Sequence, residues 1–325
     1  MIRHLAIVVA AVIVGIPTTG LTAQLSEIAI TSSADGKQQK AFWWHPINAN
    51  DRAVPLLVVL HTWSGNYQQK GWKESCLAEC EQRGWAIIHP DFRGPNRHPD
   101  ACGSDKAVQD ILDAVAWARK QIRVDNRRVY LVGTSGGGHM SLLMAGRAPH
   151  IWAGVSAWVP ISDLAAWHRE CTEAKRTNYA RDCEKSCGGA PGVSKAIDAE
   201  FRKRSPLTHL HQAEGLPIDI NAGIHDGYTG SVPVTHSLRA FNTLAEANHQ
   251  AGRKLADAEL QYFRQKRKVP DGLETERVED SLRKRNVLFR RNAGPARVTI
   301  FDGGHEGDMP PALKWLGEQK RPIEK

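Results

Sequence analysis

Residues 133–137 read Gly-Thr-Ser-Gly-Gly, the pattern G-x-S-x-G. Small residues on both sides of a serine allow the sharp, strained turn from strand to helix that lifts a hydroxyl above the end of a sheet, which is the geometry of a nucleophile. The flanks agree. A strand-like run from Arg128 to Val132 enters the motif and a helix-compatible run from His139 to Gly146 leaves it. A serine hydroxyl is a poor nucleophile at neutral pH, so Ser135 needs a base, and the base needs a third group to hold its tautomer. His305 is the base this reading selects, because the run Val298 to Phe301 continues into Asp302-Gly303-Gly304-His305, a loop that can bring an imidazole back over a sheet. Asp226, just past the run Ile218 to Ala222, is the acid, and the chain order serine, acid, histidine is one that such triads use.

Each role has rivals. His139 and His225 lie near the motifs, but the first begins the helix behind the nucleophile and the second precedes the acid by one residue, so packing or hydrogen bonding suits them better. Asp163 is the alternative acid, whereas Asp302 and Glu306 are too near His305 in sequence to curl round it. Cys102 and Cys187 sit beside glycines and are candidate reactive thiols. An acyl-transfer site also needs two backbone N–H groups aimed at the developing oxyanion. Gly136, after the nucleophile, supplies one, and the turn His61-Thr62-Trp63-Ser64-Gly65 supplies the other, with Trp63 preferred over Thr62 and Ser64.

The elements that must position these groups alternate. Strand-like runs occur at Ile28–Thr31, Ala41–Trp44, Leu56–Leu60, Ala86–His89, Val129–Val132, Gly154–Val159, Ile218–Ala222 and Val298–Phe301. Several are short, continuous and apolar, as strands covered on both faces are. Between them lie helical patterns such as 106–120, where Val108, Ile111, Leu112 and Val115 share a face. The alternation predicts an α/β fold with a mainly parallel sheet of eight strands and helices on both faces. Two stretches break the rhythm: residues 161–215, polar and holding three cysteines, read as a cap inserted over the site, and residues 245–295 read as a charged, solvated helical excursion. The excursion contains Arg283-Lys284-Arg285, with acidic residues on either side. No linker divides residues 24–325, which read as one domain.

Composition excludes several classes. With 41% hydrophobic residues and ordinary glycine and proline usage the chain is globular, and its formal charge of +8 comes from 43 basic residues interspersed with 35 acidic ones, which argues against a nucleic-acid partner. Residues 1–23 carry Arg3, an apolar run from Leu5 to Ile16 and the ending Leu21-Thr22-Ala23, the plan of a secretory signal peptide and too short for stable membrane insertion. Export to the periplasm or the medium makes disulfides the default for the six cysteines. They fall in two groups of three, Cys76, Cys80 and Cys102, then Cys171, Cys183 and Cys187, so complete pairing requires a bridge between groups, and a disulfide tying the cap to the body is expected. No cysteine–histidine pattern suggests a metal, and the chemistry needs no cofactor.

The segments Asp91-Phe92-Arg93-Gly94-Pro95-Asn96, Gly133 to Gly137, Ala222-Gly223-Ile224-His225-Asp226, Ser231-Val232-Pro233 and Gly303-Gly304-His305-Glu306 resemble the alpha/beta-hydrolase superfamily, and within it the catalytic domain of the prolyl oligopeptidase-like group. The resemblance implies that Ser135, Asp226 and His305 occupy the triad positions. Two departures stand out: Thr62 replaces the glycine that usually follows the histidine of the oxyanion turn, and more residues than usual separate Asp226 from Val232-Pro233. Oligopeptidases of this group carry an N-terminal β-propeller, whereas only about thirty residues lie between position 23 and Leu56. The resemblance therefore implies a stand-alone secreted carboxylic-ester hydrolase, with acylated carbohydrate (acetyl, feruloyl or glucuronoyl esters) as the expected substrate class. The alternatives are a serine peptidase on the same triad and a non-catalytic binding protein. Trp158, Trp167, His168 and Tyr179 are candidates for stacking on a sugar or aryl ring.

Overall fold

A computed structural model describes residues 24–276 and 278–322; the signal-peptide reading of residues 1–23 lies outside the described residues. The chain runs β1 (Ser26–Thr31), β2 (Gln38–Trp44), β3 (Val54–Leu60), α1 (Trp72–Arg83), β4 (Ala86–Pro90), α2 (Asp105–Gln121), β5 (Val124–Thr134), α3 (Gly136–Arg147) and β6 (Gly154–Trp158). It continues through α4 (Leu164–Glu173), α5 (Thr177–Cys187), α6 (Lys195–Lys203), β7 (Ile218–Gly223), α7 (Thr235–Ala247), α8 (Asp257–Lys266), β8 (Val287–Ala293), β9 (Ala296–Phe301) and α9 (Met309–Gly317). The strands form one sheet in the order β1-β2-β4-β3-β5-β6-β7-β9-β8. From β4 to β9 all pairings are parallel. Every residue of β3, β4, β6 and β7 is buried, as the continuous apolar runs require of strands covered on both faces.

Helix α2 shows why the covering layers form. Ser104 caps it, its hydroxyl accepting from Ala107 N at 3.1 Å, and Ala107, Val108, Ile111, Ala114, Val115 and Ala118 make one buried stripe against the sheet.

The sheet has nine strands rather than eight. The extra strand, β8, arises inside the stretch read as a charged excursion and pairs antiparallel with β9 at the sheet edge. Its sequence, Val-Leu-Phe-Arg-Arg-Asn-Ala, buries alternate side chains: Leu288, Arg290 and Asn292 lie on the less covered face, while Arg291 is buried beside Phe289, so the paired arginines and the asparagine break the apolar run and mask the strand signal.

Residues 161–215, read as a cap, hold α4, α5 and α6 between β6 and β7. Helices α4, α5 and α6 enclose an apolar cluster of their own, in which Ile161, Leu164, Trp167 and Phe201 pack with Trp63 from the oxyanion turn. No disulfide tethers it: all six cysteines are buried free thiols, which corrects the expectation of bridges. Cys102 from the body does lie in the cluster with Cys171, Cys183 and Cys187, so the two groups meet without a bond and the thiols serve as small apolar side chains. The tether is Arg204, at the end of α6, which donates to the carbonyls of Pro99, Ala101 and Cys102 at 2.8–3.3 Å. Burial pushes the thiols of Cys171 and Cys187 up to about 12 and those of Cys76, Cys80, Cys102 and Cys183 upward as well, which removes Cys102 and Cys187 as nucleophiles. Protein unfolded in denaturant without reductant is therefore expected to titrate all six thiols, against slow reaction in the native state. Fewer than six would show a bridge and reinstate the covalent tether.

Candidate active site

Three loops at the C-terminal ends of parallel strands bring the site together. Ser135 follows β5 with φ 59° and ψ −116°, a conformation rarely adopted by a side-chain-bearing residue and therefore strained. The turn closes because Gly133 carries no Cβ; one placed there would lie 2.3 Å from the carbonyl oxygen of Gly137. Ser135 N donates to Trp158 O on β6 at 2.8 Å, which fixes the elbow to the neighbouring strand.

His305, in the loop after β9, donates through Nδ1–H to Asp226 Oδ2 at 2.7 Å, and its Nε2 accepts from Ser135 Oγ at 2.8 Å. These roles correspond to one neutral tautomer, with the proton on Nδ1 held by the carboxylate and the lone pair on Nε2 facing the hydroxyl. The other oxygen of Asp226 accepts from Gly227 N at 2.8 Å and Val232 N at 3.1 Å. The side chain of Asp226 is 1% exposed and that of His305 22%, so the carboxylate is sealed while the imidazole can meet a substrate.

In the turn expected to hold the second oxyanion donor, Gln69 engages one of the candidates. Gln69 Oε1 accepts from Thr62 N at 2.9 Å and from Thr62 Oγ1 at 3.1 Å, so the Thr62 amide is already engaged. Gly136 presses against the next amide: a Cβ on Gly136 would lie 2.3 Å from Trp63 N. The carbonyl of Trp63 accepts from Asn96 N at 2.9 Å and its indole donates to Asp182 Oδ2 at 3.1 Å on the cap, holding the turn from two sides. Trp63 N thus packs against Gly136, the residue after Ser135.

The rivals lie elsewhere. Asp163 caps α4, accepting from Ala166 N at 3.0 Å. His139 is buried behind the elbow, donates to Arg204 O at 2.8 Å, and is pushed down to about 4 by burial. His225 and Asp302 stand 3.4 Å apart at the surface, and Glu306 accepts from Arg285. Of the stacking candidates, Trp158 and Trp167 are each 1% exposed and serve as core, and His168 bonds to Glu184, leaving Tyr179 half-buried against Trp167.

The long interval between Asp226 and Val232 also finds its explanation. Arg176 on the cap reaches Gly227 O and Tyr228 O, each at 3.2 Å, and Trp167 Nε1 donates to Ser231 O at 2.8 Å. The cap therefore grips the acid loop, and Arg176 carries no local sequence signal, since its partners are backbone carbonyls some fifty residues on.

The sequence pattern of the prolyl oligopeptidase family matches residues 74–267, more than half of the chain. Acylamino-acid-releasing enzyme 1 of Oryza sativa subsp. japonica is 25% identical over 207 residues, which cover 59% of this chain and 25% of that enzyme. Among solved structures, uncomplexed Pyrococcus horikoshii acylaminoacyl peptidase superposes with a TM-score of 0.63 at 13% identity, over 94% of this chain and 43% of that one. A puromycin-hydrolyzing peptidase of Mycobacterium tuberculosis gives 0.55 at 19% identity, over 69% and 34%. At these identities the structural likeness is one of fold. This chain spans a quarter of the length of the Oryza enzyme and less than half of either structure.

If the Asp226–His305 bond sets the tautomer, Asp226→Asn lowers kcat by about 10⁴-fold. Asp163→Asn, at a helix cap that asparagine also fills, leaves kcat within about twofold. Steady-state kinetics on the two variants decide it, and reversed effects would move the acid to Asp163.

Proposed function

The chain belongs to the prolyl oligopeptidase family, and from that premise we propose that it is a serine hydrolase that cleaves acyl bonds, with a peptide or N-acyl amide as its substrate class. The observation that carries the reading is the unbroken line Asp226–His305–Ser135 beside the Gly136 and Trp63 amides. Ser135 Oγ attacks the carbonyl carbon as His305 Nε2 takes its proton, and Asp226 stabilises the imidazolium. The amides of Gly136 and Trp63 hold the negative oxygen of the tetrahedral intermediate. His305 returns the proton to the leaving amine, the acyl-enzyme remains, and water activated by the same histidine releases the acid.

Triad and oxyanion turn serve esters and amides alike, so the bond class rests on other grounds. The proteins this chain resembles are named as an acylamino-acid-releasing enzyme, an acylaminoacyl peptidase and a puromycin-hydrolyzing peptidase, which supports an amide. The expectation of an acylated carbohydrate came from the resemblance to stand-alone secreted esterases, and of the residues that could stack on a sugar ring Trp158 and Trp167 are buried. Carboxylic-ester hydrolysis stays as the reaction the same machinery performs on an activated ester.

The test is a panel of N-acetylaminoacyl and free aminoacyl p-nitroanilides against p-nitrophenyl acetate, methyl ferulate and acetylated xylan. The proposal expects turnover of at least one anilide, absent in Ser135→Ala. Turnover of esters alone would make the protein an ester hydrolase, and no turnover of any member would undo the hydrolase reading.

A further inference from the structure

The triplet Arg283-Lys284-Arg285 reads in the sequence as part of a solvated charged stretch, yet the side chain of Arg283 is only 2% exposed. Its guanidinium donates through Nη2 to Asn221 Oδ1 at 2.8 Å and through Nε to Asp280 Oδ2 at 3.2 Å, and lies 5.1 Å over the ring of Trp158. Asn221 and Trp158 are register partners across β7 and β6, and Trp158 pairs in turn with Thr134, the residue before the nucleophile. Trp158 O is the acceptor for Ser135 N, and Asn221 O is the acceptor for Val159 N at 2.7 Å. Arg283 therefore sits on the row of the sheet from which the elbow springs, and its partner Asn221 lies five residues before Asp226.

The three residues that follow Arg283 all engage the histidine loop. Lys284 N donates to Asp308 Oδ2 at 2.9 Å, Arg285 Nε donates to Glu306 Oε1 at 3.1 Å, and Asn286 O accepts from Asp302 N at 2.9 Å. Those contacts fall before and after His305. One end of this four-residue strap is thus anchored to β6 and β7, and the rest clasps the loop that carries the base.

We propose that Arg283 is a positioning residue for the reaction: anchored on Asn221 and Trp158, it holds the strap that sets His305 at its distance from Ser135 and Asp226. The proposal rests on the serine-hydrolase reading of the site and goes beyond it. Arg283 touches no reacting atom. It acts because a triad works only within a few tenths of an ångström, and a base displaced by about 1 Å loses about a hundredfold in rate. The buried position suits arginine, whose planar fork can bond Asn221 and Asp280 while its face covers an indole.

A buried ion pair that merely stabilised the edge strand would predict lost stability with unchanged kinetics per folded molecule. The experiment separates the two with Arg283→Met, which keeps the stem over Trp158 and removes the hydrogen bonds, and Arg283→Lys, which keeps the charge and one donor. For p-nitrophenyl acetate the expected result, in protein shown folded by circular dichroism at the assay temperature, is a fall in kcat of about tenfold to a hundredfold for Met, with KM within about twofold, and an intermediate kcat for Lys. The far-downfield proton resonance of the His305–Asp226 hydrogen bond should broaden or shift in the same order. Wild-type kcat and an unmoved resonance in folded Arg283→Met overturn the proposal; should Met fail to fold, the same result in Arg283→Lys does so. A wild-type protein lacking both turnover and the resonance would instead fault the reading of the site.

Discussion

The hydrogen bond between Ser135 Oγ and His305 Nε2, 2.8 Å across residues 170 positions apart, is the constraint around which the rest is arranged. It can form only if the ends of β5 and β9 lie at the same level with β6 and β7 between them, and the parallel register provides this: Thr134, Trp158, Asn221 and Thr299 follow one another across the sheet. Beyond that row β5, β7 and β9 each hand over to a loop carrying one of Ser135, Asp226 and His305. Parallel strands need long crossovers, so groups this close in space must be far apart in sequence.

The loops have no regular structure of their own to hold them, and the molecule supplies supports from outside the sheet. The acid loop is gripped by the cap through Arg176 and Trp167, and the oxyanion turn is fixed by Gln69, Asn96 and, from the cap, Asp182. The histidine loop is clasped by residues 284–286. Through helices α4 and α5 the cap is therefore part of the frame of the site. Because Arg204 and an apolar cluster rather than a disulfide attach it, its attachment does not depend on the redox state of the surroundings.

What could be read from the residues alone was local. The pattern at 133–137 announces an elbow because Gly133 must leave room for the Gly137 carbonyl four residues on, although Gly136 and Gly137 also press on residues 60–63 far back along the chain, and all eight strand-like runs are strands, the continuous apolar ones having few other uses. The rest depended on partners far along the chain. β8 was illegible because an edge strand interrupted by Arg290, Arg291 and Asn292 lacks the continuous apolar pattern of a buried one, and Arg283 looked solvated because its burial comes from Trp158 and Asn221. The cysteine argument expected a bridge between the two groups; Cys102 does lie among Cys171, Cys183 and Cys187, but closeness in an apolar cluster does not need a bond. That Gln69 engages the Thr62 amide was likewise beyond the sequence, seven residues separating the two with no motif to link them.

The central claim is that Ser135 is the nucleophile and that His305 activates it. A fluorophosphonate of the kind that phosphonylates activated serines tests this without any assumption about substrate. Mass spectrometry of the digested adduct should find one phosphonyl group, on the peptide containing Ser135, with labelling at least about a hundredfold slower in His305→Ala. Labelling elsewhere, or labelling of Ser135 at an unchanged rate without His305, would contradict the account.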